Sequence, residues 1–324
     1  MTVHDKAPLL EVQNLSVEIA TKAGSFFPVN DHSFTVHAGE TLGIVGESGS
    51  GKSMTAMSLM RLLPKHAARI RGGSVRLAGR DLMTLSERDM RRIRGKEISM
   101  ILQDPMASLN PVMTVGAQLT EALRRIAPPD LHAAAVAALE EVRIPSPETR
   151  LAAWPHQMSG GMRQRAVAAI ALAQAPRLLI CDEPTTALDA TVQVQVLDLL
   201  RALQAAHGMA MLFVTHDFGV VARICDRVAV MYAGRIVECA PVEEIFARPA
   251  HPYTRALLAS VPSTGAPPDR LPAIPGQPPG IAARPAGCAF HPRCPHASAQ
   301  CRTAPPERFL RDGHSLRCWH PEAA

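Results

Sequence analysis

Gly46-Glu47-Ser48-Gly49-Ser50-Gly51-Lys52-Ser53 has the spacing of a phosphate-binding loop, G-x-x-x-x-G-K-[ST]. Its glycines leave backbone N–H groups free to wrap a triphosphate, the Lys52 ammonium reaches the terminal phosphates, and the Ser53 hydroxyl is placed to ligate Mg²⁺. A second chemical stretch is Arg177-Leu-Leu-Ile-Cys-Asp182-Glu183, an apolar run closed by two carboxylates. The first carboxylate suits Mg²⁺, directly or through water, and the second can orient or deprotonate an attacking water. Ser159-Gly160-Gly161 opens a third stretch. Such a turn at a helix start offers N–H groups and the positive end of a dipole to an anion, although an ordinary N-cap is the simpler reading. His216 ends another apolar run, a place where a single histidine is more often structural than catalytic.

The surrounding pattern must position these groups. Thr41–Val45 reads as a short buried strand entering the loop, and Lys52 to Leu63 as the helix leaving it, stopped by Pro64. Leu9 to Ile19 alternates as an early strand; Phe26 to Val36 reads as a loop and a second strand; Gly72 to Gly79 reads as a hairpin strand. Ser99 to Leu102 is a buried strand ending at Gln103, and residues 104–165 change to helices broken by proline, with Ala135, Leu139 and Val142 at helical spacing. Arg177 to Asp182 and Met209 to Thr215 are continuous apolar strands, with a helix marked by Val196, Leu200 and Leu203 between them. Strands of this kind alternating with helices predict a largely parallel sheet covered on both faces, whose ligands bind beyond the carboxyl ends of the strands. The loop, Asp182 and His216 all fall at such ends.

The 324 residues suffice for one large or two modest domains, and 47% hydrophobic with 19% charged residues is an ordinary globular composition. No apolar run is long enough for a membrane span, and Met1 to Lys6 do not lead into the apolar core of a signal peptide, so the expected location is cytoplasmic. The net charge of +5 is a weak pointer to nucleic acid. Its densest basic patch, Arg88 to Lys96, is interleaved with Glu87, Asp89 and Glu97 and reads as a solvated helical face.

Residues 262–321 are rich in proline and hold four of the seven cysteines, Cys288, Cys294, Cys301 and Cys318, spaced C-x₅-C-x₆-C-x₁₆-C. Four thiols in a segment without helical periodicity could bind zinc, bind an iron–sulfur cluster or stay free, and the spacing matches no standard motif for either metal site. Cys181, Cys225 and Cys239 read as small buried hydrophobes.

The order of these stretches resembles the ATP-binding cassette (ABC) family. Gln103-Asp-Pro-Met-Ala-Ser-Leu-Asn-Pro111, Pro155-His-Gln-Met-Ser-Gly-Gly161, Asp182-Glu-Pro-Thr-Thr-Ala-Leu-Asp189 and His251-Pro-Tyr-Thr-Arg-Ala-Leu-Leu258 are similar to its oligopeptide, dipeptide and nickel importer ATPases, nearest the dipeptide branch. The likeness runs over almost the whole chain. It departs at Met158 and Met162, where the family pattern usually has Leu and Gln.

The resemblance implies an α/β, ABC-type nucleotide-binding domain over residues 1–250. That domain has a parallel-sheet core with an antiparallel β subdomain and a helical subdomain at about 104–165, and an irregular Cys- and Pro-rich extension follows over 251–324. It implies ATP bound by Gly46 through Ser53 and Met54, with Ser53, Gln103 and Asp182 holding Mg²⁺. It implies Glu183 activating water, with Lys52, Gln103 and His216 as further catalytic groups. Ser159, Gly160, Gly161 and the Ala187-Leu188-Asp189 loop would reach ATP held by a second, related but non-identical ATPase subunit. Phe27 or Phe26 is the nearest candidate to stack on adenine, with a core or surface role equally open. A [4Fe–4S] cluster on the tail cysteines is implied, with zinc involving His291, His296 or His320 as the alternative. The remaining implied partners are two integral membrane permeases and, indirectly, a solute-binding protein, with no nucleic acid. The expected site is the cytoplasmic face of the inner membrane. A nickel importer of the same branch, or a soluble ABC ATPase acting on nucleic acid or ribosomes, are the other readings.

Overall fold

The computed structural model describes residues 7–22, 24–186, 188–261, 273–311 and 313–321; the N-terminal hexapeptide and Ala187 lie outside them. The chain forms two compact units: Met1–Leu9, Val36–Glu40 and Thr84–Phe213 make the first, and Leu10–Thr35, Thr41–Met83 and Val214–Ala324 the second.

In the second unit, an antiparallel sheet runs in the order Gly24–Val36, Leu10–Thr21, Ala68–Leu77, Arg80–Asp81. Leu10 and Val12, then Leu15 and Val17, are buried in alternation, and the odd step between the two pairs falls at a register shift between Gln13 and Ser16. The expected loop near Phe26 is absent: Gly24–Val36 is one strand. The same unit carries Thr41–Val45, buried at every residue and parallel to Arg227–Tyr232. Beyond Arg227–Tyr232 the order is antiparallel: Arg235–Pro241, then His314–Leu316, then Arg308–Arg311. The tail is therefore not wholly irregular. Its last hairpin covers the edge of Arg235–Pro241, a non-local pairing that the short, mixed sequence of Arg308–Leu316 does not advertise.

The helix Lys52–Leu59 ends four residues earlier than its periodicity predicts. Arg61 enters the left-handed region (φ 53), its N–H donates to the Ser58 carbonyl at 3.0 Å, and the Leu62 N–H reaches back to Met57 at 2.9 Å. This is a Schellman closure, which satisfies the last carbonyls without a glycine. Val45, Phe218, Val228, Val230, Tyr232, Tyr253 and Phe290 pack into one core cluster that joins the phosphate-loop strand to the tail.

In the first unit, Ile98–Ile101 lies parallel to Leu178–Asp182, with Ala210–Thr215 next in order. The helices Pro105–Ser108, Val115–Leu123, Leu131–Glu141 and Pro147–Leu151 occupy the expected helical stretch, with Ala135, Leu139 and Val142 buried. In the basic helix Glu87–Ile93, Arg91 pairs with Glu87 and Arg92 with Asp89, and Arg94 at its C-cap also pairs with Glu87.

The tail hairpin is fastened by Glu238, whose side chain is wholly buried. Its Oε1 accepts from the Ala250 N–H at 2.7 Å and lies 2.9 Å from His314 Nε2, while Oε2 accepts from the His251 N–H at 3.0 Å. Burial pushes this carboxyl up, but the bonds from His314 and the main chain outweigh it and hold the pKa below the ordinary 4.5. A depressed folded-state pKa gives stability that is present above the ordinary value and is lost as pH falls through the folded one. Glu238→Ala is expected to cost about 3–5 kcal/mol at neutral pH. Urea denaturation should find wild-type stability falling as pH drops below about 4.5, with a shallower fall in the variant.

Candidate functional site

The phosphate loop is shaped by backbone contacts that exclude side chains. A Cβ on Gly46 would stand 2.1 Å from the Met231 carbonyl oxygen, and one on Gly51 the same distance from that of Pro28. Gly51 also has φ 105 and caps the helix Lys52–Leu59, so glycine is required twice over. The loop is then tied down along its length. The Ser50 N–H donates to the Glu47 carbonyl at 3.2 Å, the Gly234 N–H to the Ser50 carbonyl at 2.8 Å, and the Glu47 N–H to the Tyr253 hydroxyl at 3.0 Å. His32, fully buried and held neutral by that burial with its pKa lowered to about 4, lies 3.0 Å from the Gly234 carbonyl and 3.3 Å from the Thr55 hydroxyl.

Lys52 is 5% exposed and donates to the carbonyls of Gly46 at 2.9 Å and Glu47 at 3.3 Å, which satisfies a buried ammonium from inside the loop. The Ser50 hydroxyl is buried with no hydrogen-bond partner. A buried ammonium, an orphaned hydroxyl and a helix N-terminus around one glycine-rich turn suit a polyanion. Ser53, which the sequence assigns to Mg²⁺, lies in the first turn of that helix. Glu47 has an unforeseen partner: Arg293 Nη1 and Nη2 donate to its two carboxylate oxygens at 2.8 and 3.2 Å.

The first unit holds the carboxylates. Asp182, 3% exposed, ends the strand Leu178–Asp182. Glu183 follows it in the left-handed region, φ 46, an uncommon conformation for a residue other than glycine and one that persists where the surroundings enforce it. Those surroundings are visible: Glu183 Oε2 accepts from Gln103 Nε2 at 3.2 Å and from the Thr186 hydroxyl at 3.0 Å. Thus Gln103 and Glu183, picked separately from the sequence, meet. Thr186 was missed; its only signal was its place three residues after Glu183.

Ser159 caps the helix Gly160–Leu172, accepting from the Met162 N–H at 3.3 Å, and Ser159 and Gly160 are exposed. Asp189 likewise caps Ala190–His207 through the Val192 N–H at 3.0 Å. His216 is exposed just beyond the strand Ala210–Thr215. The phosphate loop and His216 belong to the second unit; Gln103, Ser159, Gly160, Gly161, Asp182, Glu183 and Asp189 belong to the first. Of the aromatic candidates, Phe27 is exposed and its carbonyl accepts from Arg284, while Phe26 is half-buried.

None of the seven cysteines forms a disulfide; Cys181 and Cys239 are buried, Cys225 half-buried. In the tail, the Cys288 N–H donates to the Cys301 carbonyl at 2.9 Å. Burial, reinforced by Cys288, Cys294 and Cys301, pushes the Cys318 thiol up to about 11, so the four sulfurs lie within electrostatic reach of one another. Among the described residues, however, no group of three or more His, Cys, Asp or Glu side chains is arranged to hold a metal ion. The cluster or zinc expected there is therefore not matched by the side-chain arrangement.

Residues 29–186 match the ABC transporter family and residues 237–301 the oligopeptide/dipeptide transporter C-terminal region. A "Probable peptide ABC transporter ATP-binding protein" of Sinorhizobium fredii is 51% identical over 96% of this chain and 94% of its own. A protein carrying the name of a peptide import ATP-binding protein in Brucella abortus is 49% identical over 98% and 97%. Among solved structures, a dimeric ATP-binding cassette in a post-hydrolysis state with ADP and phosphate superposes with a TM-score of 0.64. It is 24% identical and covers 72% of this chain and 98% of its own, a likeness of fold.

The glycine geometry separates two substitutions in one loop. Gly49→Ala meets open space and bears only the cost of its φ of 77, about 1–2 kcal/mol, whereas Gly51→Ala must also displace the Pro28 backbone. Thermal denaturation should rank Gly51→Ala as the less stable of the two, and titration with a fluescent ATP analogue should find its binding lost.

Proposed function

The chain belongs to the ATP-binding proteins of peptide ABC transporters, and from that premise we propose that it binds and hydrolyses ATP to power the import of di- and oligopeptides. The observation that carries the catalytic part is Glu183, held in a strained backbone with its carboxylate fixed by Gln103 and Thr186 and with buried Asp182 beside it. The family implies ATP and Mg²⁺. Bound Mg²⁺ supplies neutralisation of phosphate charge.

In this reading Lys52 exchanges its carbonyl partners for the terminal phosphate oxygens, and the backbone N–H groups of Gly49, Ser50 and Gly51 bind the phosphates. The Ser53 hydroxyl and the Asp182 carboxylate hold the metal. Glu183 takes the proton of the attacking water while the Gln103 amide holds that carboxylate in line, and His216 donates to the γ-phosphate. Ser159 and Gly160, exposed at a helix start, and half-buried Gly161 are suited to the phosphates held by a second ATPase subunit, with Asp189 assigned to the same role.

A permease is the membrane partner that a peptide ABC transporter calls for; no helix among the described residues is itself long and apolar enough to cross a bilayer. A groove of about 560 Å³ beside the strand Ile98–Ile101, lined by Ser99, Leu102, Leu109 and Gln118, lies next in sequence to Gln103 and would seat it. In this reading the chain is a peripheral subunit at the cytoplasmic face. For the tail, the reading of a [4Fe–4S] cluster, with zinc as the alternative, rests on the four thiols Cys288, Cys294, Cys301 and Cys318 alone, since no side-chain group among the described residues is arranged to hold a metal ion.

Glu183→Gln keeps the hydrogen-bonding shape of the side chain but removes its basicity. ATP turnover in the assembled transporter should fall by about 10²–10⁴-fold with ATP binding retained; turnover at the wild-type rate would sink the assignment. For the tail, iron and sulfide analysis with visible absorption after anaerobic purification should find both elements; zinc without iron would replace the cluster reading.

A further inference from the structure

Glu47 is the second residue of the phosphate loop, and every polar group it owns is engaged. Its N–H donates to Tyr253 Oη at 3.0 Å, its carbonyl accepts from Ser50 N–H and Lys52 Nζ at 3.2 and 3.3 Å, and its carboxylate takes the two-pronged bond from Arg293. Two of those anchors lie far away in sequence, Tyr253 by 206 positions and Arg293 by 246.

Arg293 is built in rather than adventitious. Its side chain is 6% exposed, against 26% for Glu47. Nη1 also reaches Tyr232 Oη at 3.2 Å and Nε donates to the Pro275 carbonyl at 2.9 Å, so all three nitrogens are used. The guanidinium carbon lies 5.8 Å from the centre of the Tyr232 ring and 6.0 Å from that of Phe290. Those rings pack on Tyr253, with centroids 4.5 Å apart for Tyr232 and 5.3 Å for Phe290. A lysine could supply the charge here but not the fork.

We infer that Arg293 is a positioning residue for ATP binding: from the tail, between Cys288 and Cys294, it fixes Glu47 and through it the carbonyl on which Lys52 rests, so that the loop is ordered before nucleotide arrives. A loop ordered in advance spares binding the entropy of ordering it. This inference rests on the nucleotide reading of the loop. The pair acts on affinity, because neither residue is in the set assigned to the reacting atoms.

The test uses the full-length chain and its assembled transporter. For Arg293→Ala, the Kd for a fluorescent ATP analogue with Mg²⁺ and the KM for ATP should each rise about tenfold, with kcat changed less than twofold. Arg293→Lys should recover only part of the loss. Glu47→Gln should weaken binding as well, and the Glu47→Gln/Arg293→Ala double variant should be no weaker than Arg293→Ala alone, the non-additivity of a coupled pair. Should Arg293→Ala melt below the assay temperature, Glu47→Gln and Arg293→Lys carry the test, since Glu47 is partly solvated and lysine keeps the charge. Binding within twofold of wild type in the folded variants, additive effects, or a fall in kcat at unchanged KM would each overturn the inference. A wild-type chain that binds no nucleotide, or binds it as well with Lys52→Ala, would instead overturn the reading of the loop itself.

Discussion

Two carbonyl oxygens, those of Pro28 and Met231, set the shape of the phosphate loop by standing where the Cβ atoms of Gly46 and Gly51 would be. Much of the second unit follows from that close approach. Pro28 belongs to the strand Gly24–Val36 and Met231 to Arg227–Tyr232, so the loop can close only when two different sheets of the unit are in register. His32 reinforces the same junction by bridging the Gly234 carbonyl and the Thr55 hydroxyl, which requires its ring to stay neutral. A loop often pictured as a free-standing cradle is here the seam between sheets.

The carboxylate half obeys a different constraint. Glu183 bears an uncommon backbone conformation, which costs of order 1–3 kcal/mol and must be offset by its neighbours. Gln103 and Thr186 supply the bonds that hold it. Asp182, one residue earlier and 3% exposed, keeps regular strand geometry. Adjacent carboxylates are thus given unlike surroundings.

The sequence was most informative where local chemistry and local geometry coincide. Gly51, Lys52 and Ser53 had to sit between a buried strand and a helix for their spacing to mean anything, and Thr41–Val45 and Lys52–Leu59 bear that out. The continuous apolar runs ending at Asp182 and Thr215 were legible for the same reason. Long-range partners were not. Nothing near Glu47 announces Arg293, nothing near Glu238 announces His314, and the pairing of Arg308–Arg311 with His314–Leu316 depends on an edge built some seventy residues earlier in chain order. The helix after the loop stopped short because Arg61 adopted a left-handed cap that no glycine marked. Such features are fixed by tertiary closure, which periodicity does not record.

The hairpin on the edge of Arg235–Pro241 also bears on how the protein is made. Strand edges with unpaired N–H and C=O groups invite pairing with other chains, and domains begin to fold from the N-terminus during synthesis. Arg235–Pro241 is translated well before His314–Leu316, so its outer edge stays open while the intervening residues are added. The last described strands therefore close that edge late: a chain that stopped after Pro241 would leave it unpaired, and completion of the tail removes that liability.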